Sequence, residues 1–241
     1  MSAAMSNKAD ENFMDVLCQS YDGLDYDDRI PRECGLLNTY LEDILMCSSR
    51  EVLEIGYGDG SVVAFFLKRG FHVTGLDNEL RIAQKLKQNL SKLGDPATRF
   101  TSRIGDVSEY EVEEGKYAVI VISYVLHFLC ERSGIAVLDR LKRSLAPQGV
   151  ILVRVHHDDF RKAAEGDGRY KHFFKEPELD ACFAQGFDVL FSSKFSRIET
   201  RNEYEVGAKA KHLLGLPVTQ PSKLKYVSLE YLARKDLLLE D

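Results

Sequence analysis

Hydrophobic and polar positions divide the chain into two kinds of segment that alternate. Short apolar runs rich in branched residues, such as EVLEIG, YAVIVIS and GVILVRV, predict buried strands. Longer segments between them, such as NELRIAQKLKQNLSKLG and SGIAVLDRLKRSLA, place apolar residues three and four positions apart and predict amphipathic helices. Strands and helices in this order predict a doubly wound α/β fold, in which helices cover both faces of a mostly parallel sheet.

The stretch before the first strand has two parts. Residues 1–12 are small and polar, so we expect them to be disordered. In residues 13–47 apolar positions recur at helical spacing, with turn formers around Pro31 between them, which predicts N-terminal helices. We expect residues 13–241 to form a single domain, because the chain has the length of one α/β domain.

The last part of the chain departs from the alternation. A predicted helix around PELDACFAQ is followed by two strand-like runs, DVLFSSKFSRIET and KYVSLEYLARK, with no regular crossover helix between them. Neighbouring strands without a crossover pair antiparallel, so we expect an antiparallel pair at the edge of the sheet. Residues 202–223 form a long loop between these strands, and long loops in compact domains are often functional or disordered.

Charge and cysteine content exclude several classes of protein. The net charge of −6 would repel a phosphate backbone, so we expect no nucleic-acid partner. The five cysteines are scattered and form no CxxC pair, which is typical of buried thiols in a reducing compartment. The start MSAAMSNKADENF carries no signal peptide and the chain has no long apolar run, so we expect a cytoplasmic protein without a membrane partner. Nothing here predicts the oligomeric state.

A glycine-rich loop, EIGYGDGS, follows the first strand and opens a helix. Gly56, Gly58 and Gly60 are spaced G-x-G-x-G, unlike the G-x-G-x-x-G of dinucleotide sites. Glu54 and Asp59 would repel a pyrophosphate at this helix N-terminus, which argues against an NAD-dependent oxidoreductase. S-adenosylmethionine fits better, because its ammonium and sulfonium are cationic and its carboxylate can accept backbone N–H groups.

Two further acidic residues end strands at the same side of the predicted sheet. Asp77 ends GLD, where a carboxylate can accept both ribose hydroxyls of a nucleoside. Asp106 in IGDV can accept from an adenine amino group, while Val107 donates its backbone N–H to the ring. Either acid alone would more often cap a helix or stabilise a turn, so the hypothesis depends on their occurring in this order.

At these residues the sequence resembles the class I S-adenosylmethionine-dependent methyltransferases. EIGYGDG resembles their first motif, LD their ribose-binding acid, GD their adenine-binding loop and APQGVILV their turn into the fifth strand. The resemblance implies a Rossmann-like methyltransferase fold, with a seven-stranded sheet that has an antiparallel edge strand, and S-adenosyl-L-methionine as cofactor. Tyr21 and Tyr26 resemble the aromatic stretch that folds over this cofactor. The implied cofactor-binding residues are Glu54, Gly56, Tyr57, Gly58, Gly60, Asp77, Asn78, Asp106, Val107 and Ser123.

Catalytic candidates follow the fourth and fifth strands. The segment ISYVLHFL brings Ser123, Tyr124 and His127 to the expected position of the methyl group, although Tyr124 could simply pack and His127 could cap a helix. His156 and His157 follow the fifth strand and face opposite ways, so only one can reach the site as a base. We predict no metal, because neighbouring ligands in HHDD diverge.

The methyl acceptor is predicted from weaker signals. Arg154, Arg161, Arg169 and Tyr170 could bind an anionic small substrate, although each arginine could also be a solvated charge. No NPPY-like tetrad follows the fourth strand and no proline precedes a cysteine, so signatures of nucleic-acid methyltransferases are missing. The segment FFKEPELDACFAQGFDVLFSSKFSRIETR resembles tellurite-resistance-type and related small-molecule methyltransferases.

These observations predict methyl transfer to a small-molecule acceptor by direct displacement. Two alternatives stay open. One is a protein methyltransferase that docks its substrate through residues 202–223, and the other is an inactive methyltransferase-fold protein that binds a partner.

Overall fold

The computed structural model describes residues 21, 24, 26, 34–161, 168–198 and 225–236. The strands are β1 (Glu51–Ile55), β2 (His72–Asp77), β3 (Phe100–Ile104), β4 (Tyr117–Ser123), β5 (Leu145–His156), β6 (Phe187–Ile198) and β7 (Lys225–Lys235). The helices are α1 (Gly35–Thr39), α2 (Leu41–Met46), α3 (Ser61–Leu67), α4 (Leu80–Leu90), α5 (Glu131–Ser144) and α6 (Glu176–Phe183). The predicted disordered residues 1–12 and the predicted loop 202–223 lie outside the described residues, as does most of residues 13–33.

The sheet has seven strands in the order β3-β2-β1-β4-β5-β7-β6. The five strands from β3 to β5 pair in parallel, while β7 pairs antiparallel with both β5 and β6. The predicted mostly parallel seven-stranded sheet is therefore confirmed, with its antiparallel pairing at the β6 edge. Within that pairing, β7 lies second from the edge, because β6 pairs on its outer side.

Burial on both faces explains why the central strands are continuously apolar. Val119 and Val121 of β4 enter one hydrophobic cluster, whereas Ile120 and Ile122 enter the cluster on the opposite face. Alternate side chains of one strand thus pack under different helices, as expected for a sheet covered on both sides. The helix α3 is buried from Val62 to Leu67, which fixes its N-terminus directly beyond the end of β1.

The chain order creates a crevice at the carboxyl ends of β1 and β4. These strands pair with each other, but the chain leaves β1 toward β2 on one side and returns to β4 on the other. In open α/β sheets, ligands bind outside the carboxyl ends of the strands where the order reverses in this way. Short 3-10 turns at Leu126–Phe128 and Asp158–Phe160 follow β4 and β5 at the same end.

Candidate functional site

A cleft of about 350 Å³ opens at the carboxyl ends of β1, β2 and β4. This volume lies within the range of small-molecule sites. The predicted residues that line it are Gly56, Gly58, Asp77, Asn78, Asp106, Val107, Ser123 and Tyr124. Tyr21 also lines the cleft, as do Val125, Phe128 and Leu129, which belong to the singled-out segment ISYVLHFL but were not individually predicted.

The glycine loop needs glycine for both its backbone and its packing. Gly56 and Gly60 have φ angles of +69° and +78°, in the left-handed region that glycine adopts without strain. A Cβ on Gly56 would lie 2.4 Å from Val125 Cγ2, and one on Gly60 would lie 2.0 Å from Leu86 Cδ1. The loop therefore brings its backbone close to both the β4 segment and α4.

Glu54 lies beneath this loop with an unmet hydrogen-bonding requirement. It is 4% exposed, and its Oε2 has no hydrogen-bond partner among the described residues. Burial, followed by the nearby charges of Asp59 and Asp77, raises the pKa of Glu54 well above its usual value. A buried carboxylate in this state is stabilised by a cation, so the site favours a positively charged ligand.

Tyr57 and Gly60, like Glu54, do not line the cleft. The Tyr57 ring packs edge-on against Phe100 at a centroid distance of 6.0 Å, and its hydroxyl lies 3.1 Å from Ser102 Oγ. A Cβ on Gly75 would lie 2.5 Å from Tyr57 Cδ1, so the ring occupies space that this glycine of β2 leaves free. The side chain of Tyr57 thus belongs to the core beneath the loop, and its sequence position gave no signal of this.

Asp77 ends β2 in a position that suits a ligand. It is 8% exposed and lines the cleft, while its Oδ1 accepts the backbone N–H of Glu79 at 3.0 Å. Burial raises the pKa of Asp77, and backbone N–H groups including that of Glu79 oppose this shift. Its local hydrogen bond caps the following turn, so the same carboxylate can serve the backbone and face the cleft.

The loop after β3 forms the far end of the cleft. Asp106 accepts hydrogen bonds from the backbone N–H and the hydroxyl of Ser108, both at 2.7 Å, and these bonds lower the pKa of Asp106. Arg140 of α5 donates to the carbonyl oxygens of Val107 and Ser108, which holds the loop against the helix. Arg140 was not predicted, because in the sequence it resembles any charged residue on the exposed face of an amphipathic helix.

The end of β4 carries backbone strain. Tyr124 has a φ angle of +59°, which is rare for a bulky residue and costs about 1–2 kcal/mol. Its backbone N–H donates to the Arg154 carbonyl oxygen at 2.8 Å. This conformation holds the half-exposed Tyr124 ring at the cleft, 5.1 Å from the His156 ring and 6.2 Å from the His127 ring. Strain of this kind is concentrated at functional sites.

Two of the three predicted histidines form a buried pair beside the cleft. The rings of His127 and His156 lie 4.3 Å apart, and the two residues are 1% and 7% exposed. His127 Nδ1 has no hydrogen-bond partner among the described residues, while His156 Nδ1 lies 3.4 Å from Ser228 Oγ. Burial lowers the pKa of His127 to about 2 and that of His156 to about 4. Both imidazoles are therefore neutral at neutral pH.

His157 is the third histidine among the predicted catalytic residues, and it faces away from the cleft. Its Nε2 lies 2.9 Å from Glu176 Oε2, and its Nδ1 accepts the Asp159 backbone N–H at 3.0 Å. These contacts connect the end of β5 to α6. Of the two consecutive histidines, only His156 joins the rings beside the cleft.

The four predicted substrate-binding residues are separated. Tyr170 packs on the rings of His127 and Phe128, at centroid distances of 5.3 and 5.5 Å. Arg154 is buried and pairs with Glu230 of β7. Arg161 is exposed and donates to Asp158, and neither Arg161 nor Arg169 is among the described residues that line the cleft.

Two kinds of feature are absent from the described residues. Within these ranges, no helix is long and apolar enough to cross a membrane. Likewise, no group of three or more His, Cys, Asp or Glu side chains in the described part of the chain is arranged to hold a metal ion.

Comparison with known proteins gives matches to one domain family and to one fold. Residues 52–149 match a family described as a methyltransferase domain. A SAM-dependent methyltransferase from Methanosarcina mazei is 15% identical, with a TM-score of 0.60 over 84% of this chain and 98% of that chain. No curated protein sequence matches.

Two further structures share the fold. Phosphoethanolamine N-methyltransferase 2 from Haemonchus contortus, in complex with phosphomonomethylethanolamine and S-adenosylhomocysteine, is 14% identical, with a TM-score of 0.62 over 93% of this chain and 57% of that chain. The [4+2]-cyclase SpnF is 15% identical, with a TM-score of 0.67 over 97% of this chain and 96% of that chain. At these identities the likeness establishes the fold and leaves the acceptor open.

Proposed function

We propose that this chain, whose residues 52–149 match a methyltransferase domain, is a class I S-adenosylmethionine-dependent methyltransferase that methylates a small molecule by direct displacement. The observation that carries this proposal is a ring cluster beside the cleft, formed by the side chains of Tyr124, His127, His156 and Tyr170. His127 and His156 are almost fully buried, yet they adjoin Tyr124, which lines the cleft. An acceptor that reaches these rings must be enclosed by the protein, which favours a small molecule over a polymer.

The cofactor S-adenosylmethionine fits the residues of the cleft. Glu54 supplies a buried carboxylate oxygen without a partner, and Gly56 and Gly58 leave room for close approach to the backbone. We assign Asp77 to the ribose hydroxyls, since its carboxylate ends β2 and faces the cleft. When bound, the cofactor supplies an electrophilic methyl group on a sulfonium, whose charge is lost on transfer.

The other cofactor-binding residues have either direct or supporting roles in this proposal. Asp106 and Val107 would bind the adenine, while Asn78 and Ser123 line other parts of the cleft. Tyr57 and Gly60 have a supporting role, because their packing beneath the glycine loop sets its position. The carboxylate of Asp59 accepts the Ser61 backbone N–H at 2.9 Å and caps the start of α3.

The ring cluster supplies what a methyl acceptor needs besides the methyl donor. A protonated nucleophile must lose its proton as it attacks, and a neutral imidazole can accept it. His156 is the candidate base, because its ring faces Tyr124 and it is neutral at neutral pH. His127 offers a buried Nδ1 that lacks a partner, so it can bind a polar hydrogen of the acceptor or shuttle the proton. Tyr124 and Tyr170 align the acceptor by contact with its apolar surface.

The test is production of S-adenosylhomocysteine from S-adenosylmethionine in the presence of two fractions of a cell extract. One fraction contains only molecules that pass a dialysis membrane, and the other contains the retained proteins. The proposal expects turnover with the first fraction, and loss of it in Asp77→Ala. Turnover with the protein fraction alone would show a protein methyltransferase, and no turnover with either fraction, despite cofactor binding, would favour an inactive binding protein.

A further inference from the structure

A row of polar side chains crosses the sheet beside the cleft. In the strand register, Ser123 of β4 lies opposite Arg154 of β5, Arg154 lies opposite Glu230 of β7, and Glu230 lies opposite Ser193 of β6. Residues directly opposite each other point to the same face of a sheet. Ser123 lines the cleft, so the row starts there and runs over the antiparallel half of the sheet.

The centre of this row is an ion pair with unused hydrogen-bonding capacity. Arg154 Nε donates to Glu230 Oε1 at 2.6 Å, and Arg154 Nη2 contacts the same oxygen. The two side chains are 8% and 14% exposed. Arg154 Nη1 and Glu230 Oε2 take no part in these contacts, and neither is among the fully buried polar atoms that lack a partner in the described residues, so both are open to solvent. One donor group and one acceptor atom of a nearly buried pair are thus available to a ligand.

Stability alone does not account for such a pair. Removing two charges from water costs about as much as their attraction returns, and an apolar pair of similar size is often as stable or more so. A fork-to-fork pairing would use both carboxylate oxygens, whereas here Glu230 uses one. The Nη1 donor and the Oε2 acceptor can instead bind a ligand that carries both an acceptor and a donor.

The charges around the pair select the kind of ligand. Arg154 and Glu230 together are neutral, and Glu54, which also interacts with Arg154, is buried and has a raised pKa that disfavours its charged form. A ligand with a single charge is therefore attracted by one partner of the pair and repelled by the other. The next residues on the same face of the two strands, His156 and Ser228, also lie opposite each other and carry no charge at neutral pH. A ligand with one positive and one negative group is therefore favoured over either single charge.

We propose that Arg154 and Glu230 anchor the methyl acceptor, and that the acceptor is a small zwitterion. Its anionic group binds Arg154 Nη1, and its ammonium group binds Glu230 Oε2. This inference rests on the proposed function, because it assigns the row to the substrate of the same site. Arg154 and Glu230 are positioning residues here, and the reacting atom lies toward Tyr124 and the ring pair.

The first experiment is calorimetric titration with probes of matched size, in the presence and in the absence of saturating S-adenosylhomocysteine. Glycine, β-alanine and 4-aminobutyrate are each compared with the carboxylate and the amine of the same chain length. We expect at least one zwitterion to bind about tenfold or more tightly than both of its single-charge analogues. Equal affinities within every set would overturn the inference. Failure of S-adenosylhomocysteine to bind would instead count against the proposed function, and the titrations without it would still test the ion pair.

A conservative variant separates ligand binding from structural support. Glu230→Gln keeps the shape of the side chain and an acceptor for Arg154, but it removes the negative charge. We expect zwitterion affinity to fall about tenfold and affinity for the matched carboxylate to rise, because Arg154 is then an uncompensated cation. A purely structural pair would change neither preference. A fall in affinity for S-adenosylhomocysteine by the same factor would assign Arg154 to the cofactor and would also overturn the inference.

A charge exchange provides the stricter test. Arg154→Glu combined with Glu230→Arg retains an ion pair between β5 and β7 but reverses its direction, so zwitterion binding should be lost while S-adenosylhomocysteine binding remains. The matched control exchanges the exposed pair of Arg234 and Asp188, which lie 2.9 Å apart on β7 and β6. The control should leave all affinities unchanged. Retained zwitterion affinity in a folded Arg154→Glu, Glu230→Arg variant would contradict the proposal.

Discussion

The two halves of the sheet build their parts of the site in different ways. On the side proposed for the cofactor (the cofactor side), β1, β2 and β3 each contribute residues from the end of the strand or just beyond it, such as Gly56, Asp77 and Asp106. On the side proposed for the acceptor (the acceptor side), neighbouring groups come from distant parts of the chain, as with His156 and Ser228 or Arg154 and Glu230. A site made from successive strand ends can be identified from local motifs, whereas one made by strand pairing depends on the register.

The halves also differ in their electrostatics. The cofactor side has an excess of negative charge, and Glu54 keeps an oxygen without a partner in the described structure. On the acceptor side, His127 and His156 are neutral, and Arg154 and Glu230 compensate each other. One side therefore attracts a cation, while the other presents a surface without net charge. Four experiments test how far this difference extends.

The largest effect on stability is expected from adding a side-chain atom where the glycine loop after β1 packs against the segment after β4. Gly56→Ala would bring a Cβ to 2.4 Å from Val125 Cγ2 and would force alanine into a left-handed conformation. We expect the free energy of unfolding in urea to fall by about 2–4 kcal/mol, as the sum of strain and overpacking. Gly115→Ala is the control, because it has a similar φ of +66° and nothing within 4 Å of the added atom. Equal losses in the two variants would show that the contact with Val125 is unimportant.

The second experiment removes a charge from the cofactor side. Asp77→Ala should weaken binding of S-adenosylhomocysteine by about 1–3 kcal/mol, because charge-assisted hydrogen bonds to the ribose are lost. Calorimetry measures this directly. Since Asp77 also accepts the Glu79 backbone N–H, thermal unfolding of the variant must be measured in parallel. Unchanged affinity would remove Asp77 from the cofactor site.

The third experiment uses the pH dependence of stability to test whether His156 on the acceptor side is neutral. Unfolded His156 binds a proton below about pH 6.5, whereas the folded protein keeps it neutral until its pKa of about 4. Stability is therefore lost as the pH falls through this window, by about 1–2 kcal/mol between pH 7 and pH 5. Urea unfolding at both pH values should show that the free energy of unfolding of His156→Phe falls less between pH 7 and pH 5 than that of the wild type, by this amount. The same substitution at His72, which is exposed on β2, serves as the control, and equal pH dependence in all three proteins would contradict a neutral His156.

The smallest effect is expected for the histidine that faces the other way. His157→Asn should lower the free energy of unfolding by about 0.5–1 kcal/mol, because it loses the contact with the partly exposed Glu176. Cofactor affinity and turnover should stay at the wild-type level. A large loss of turnover would contradict the assignment of His157 to a structural role and of His156 to the site.

The residues that line the cleft at the ends of β1, β2 and β3 were largely predictable from the sequence, with one instructive exception. Gly56, Asp77 and Asp106 come together because each follows a strand, and the carboxyl ends of neighbouring parallel strands meet. Tyr57 stands in the same motif, but its ring fills space above Gly75, a residue of the next strand. The fit between these two residues is a matter of packing, which a local motif does not encode.

The acceptor side was predictable only in outline. Alternation along β5 predicted that His156 and His157 face opposite ways, but nothing in the sequence indicates which one faces the cleft. Glu230 was not singled out, because its importance depends on the pairing of β7 with β5. The antiparallel pairing was expected, yet the insertion of β7 between β5 and β6 fixes which side chains meet across it.

The position of β7 also has a consequence for synthesis on the ribosome. The strands β1 to β5 emerge first and can already form a parallel sheet, but β6 has no neighbour until β7 follows it out of the ribosome. Until then, β5 presents an open edge, which a chaperone or another nascent chain could cover. The half proposed to hold the cofactor can therefore be assembled before the half proposed to recognise the acceptor, and Arg154 lies at an open sheet edge without its carboxylate partner until Glu230 arrives.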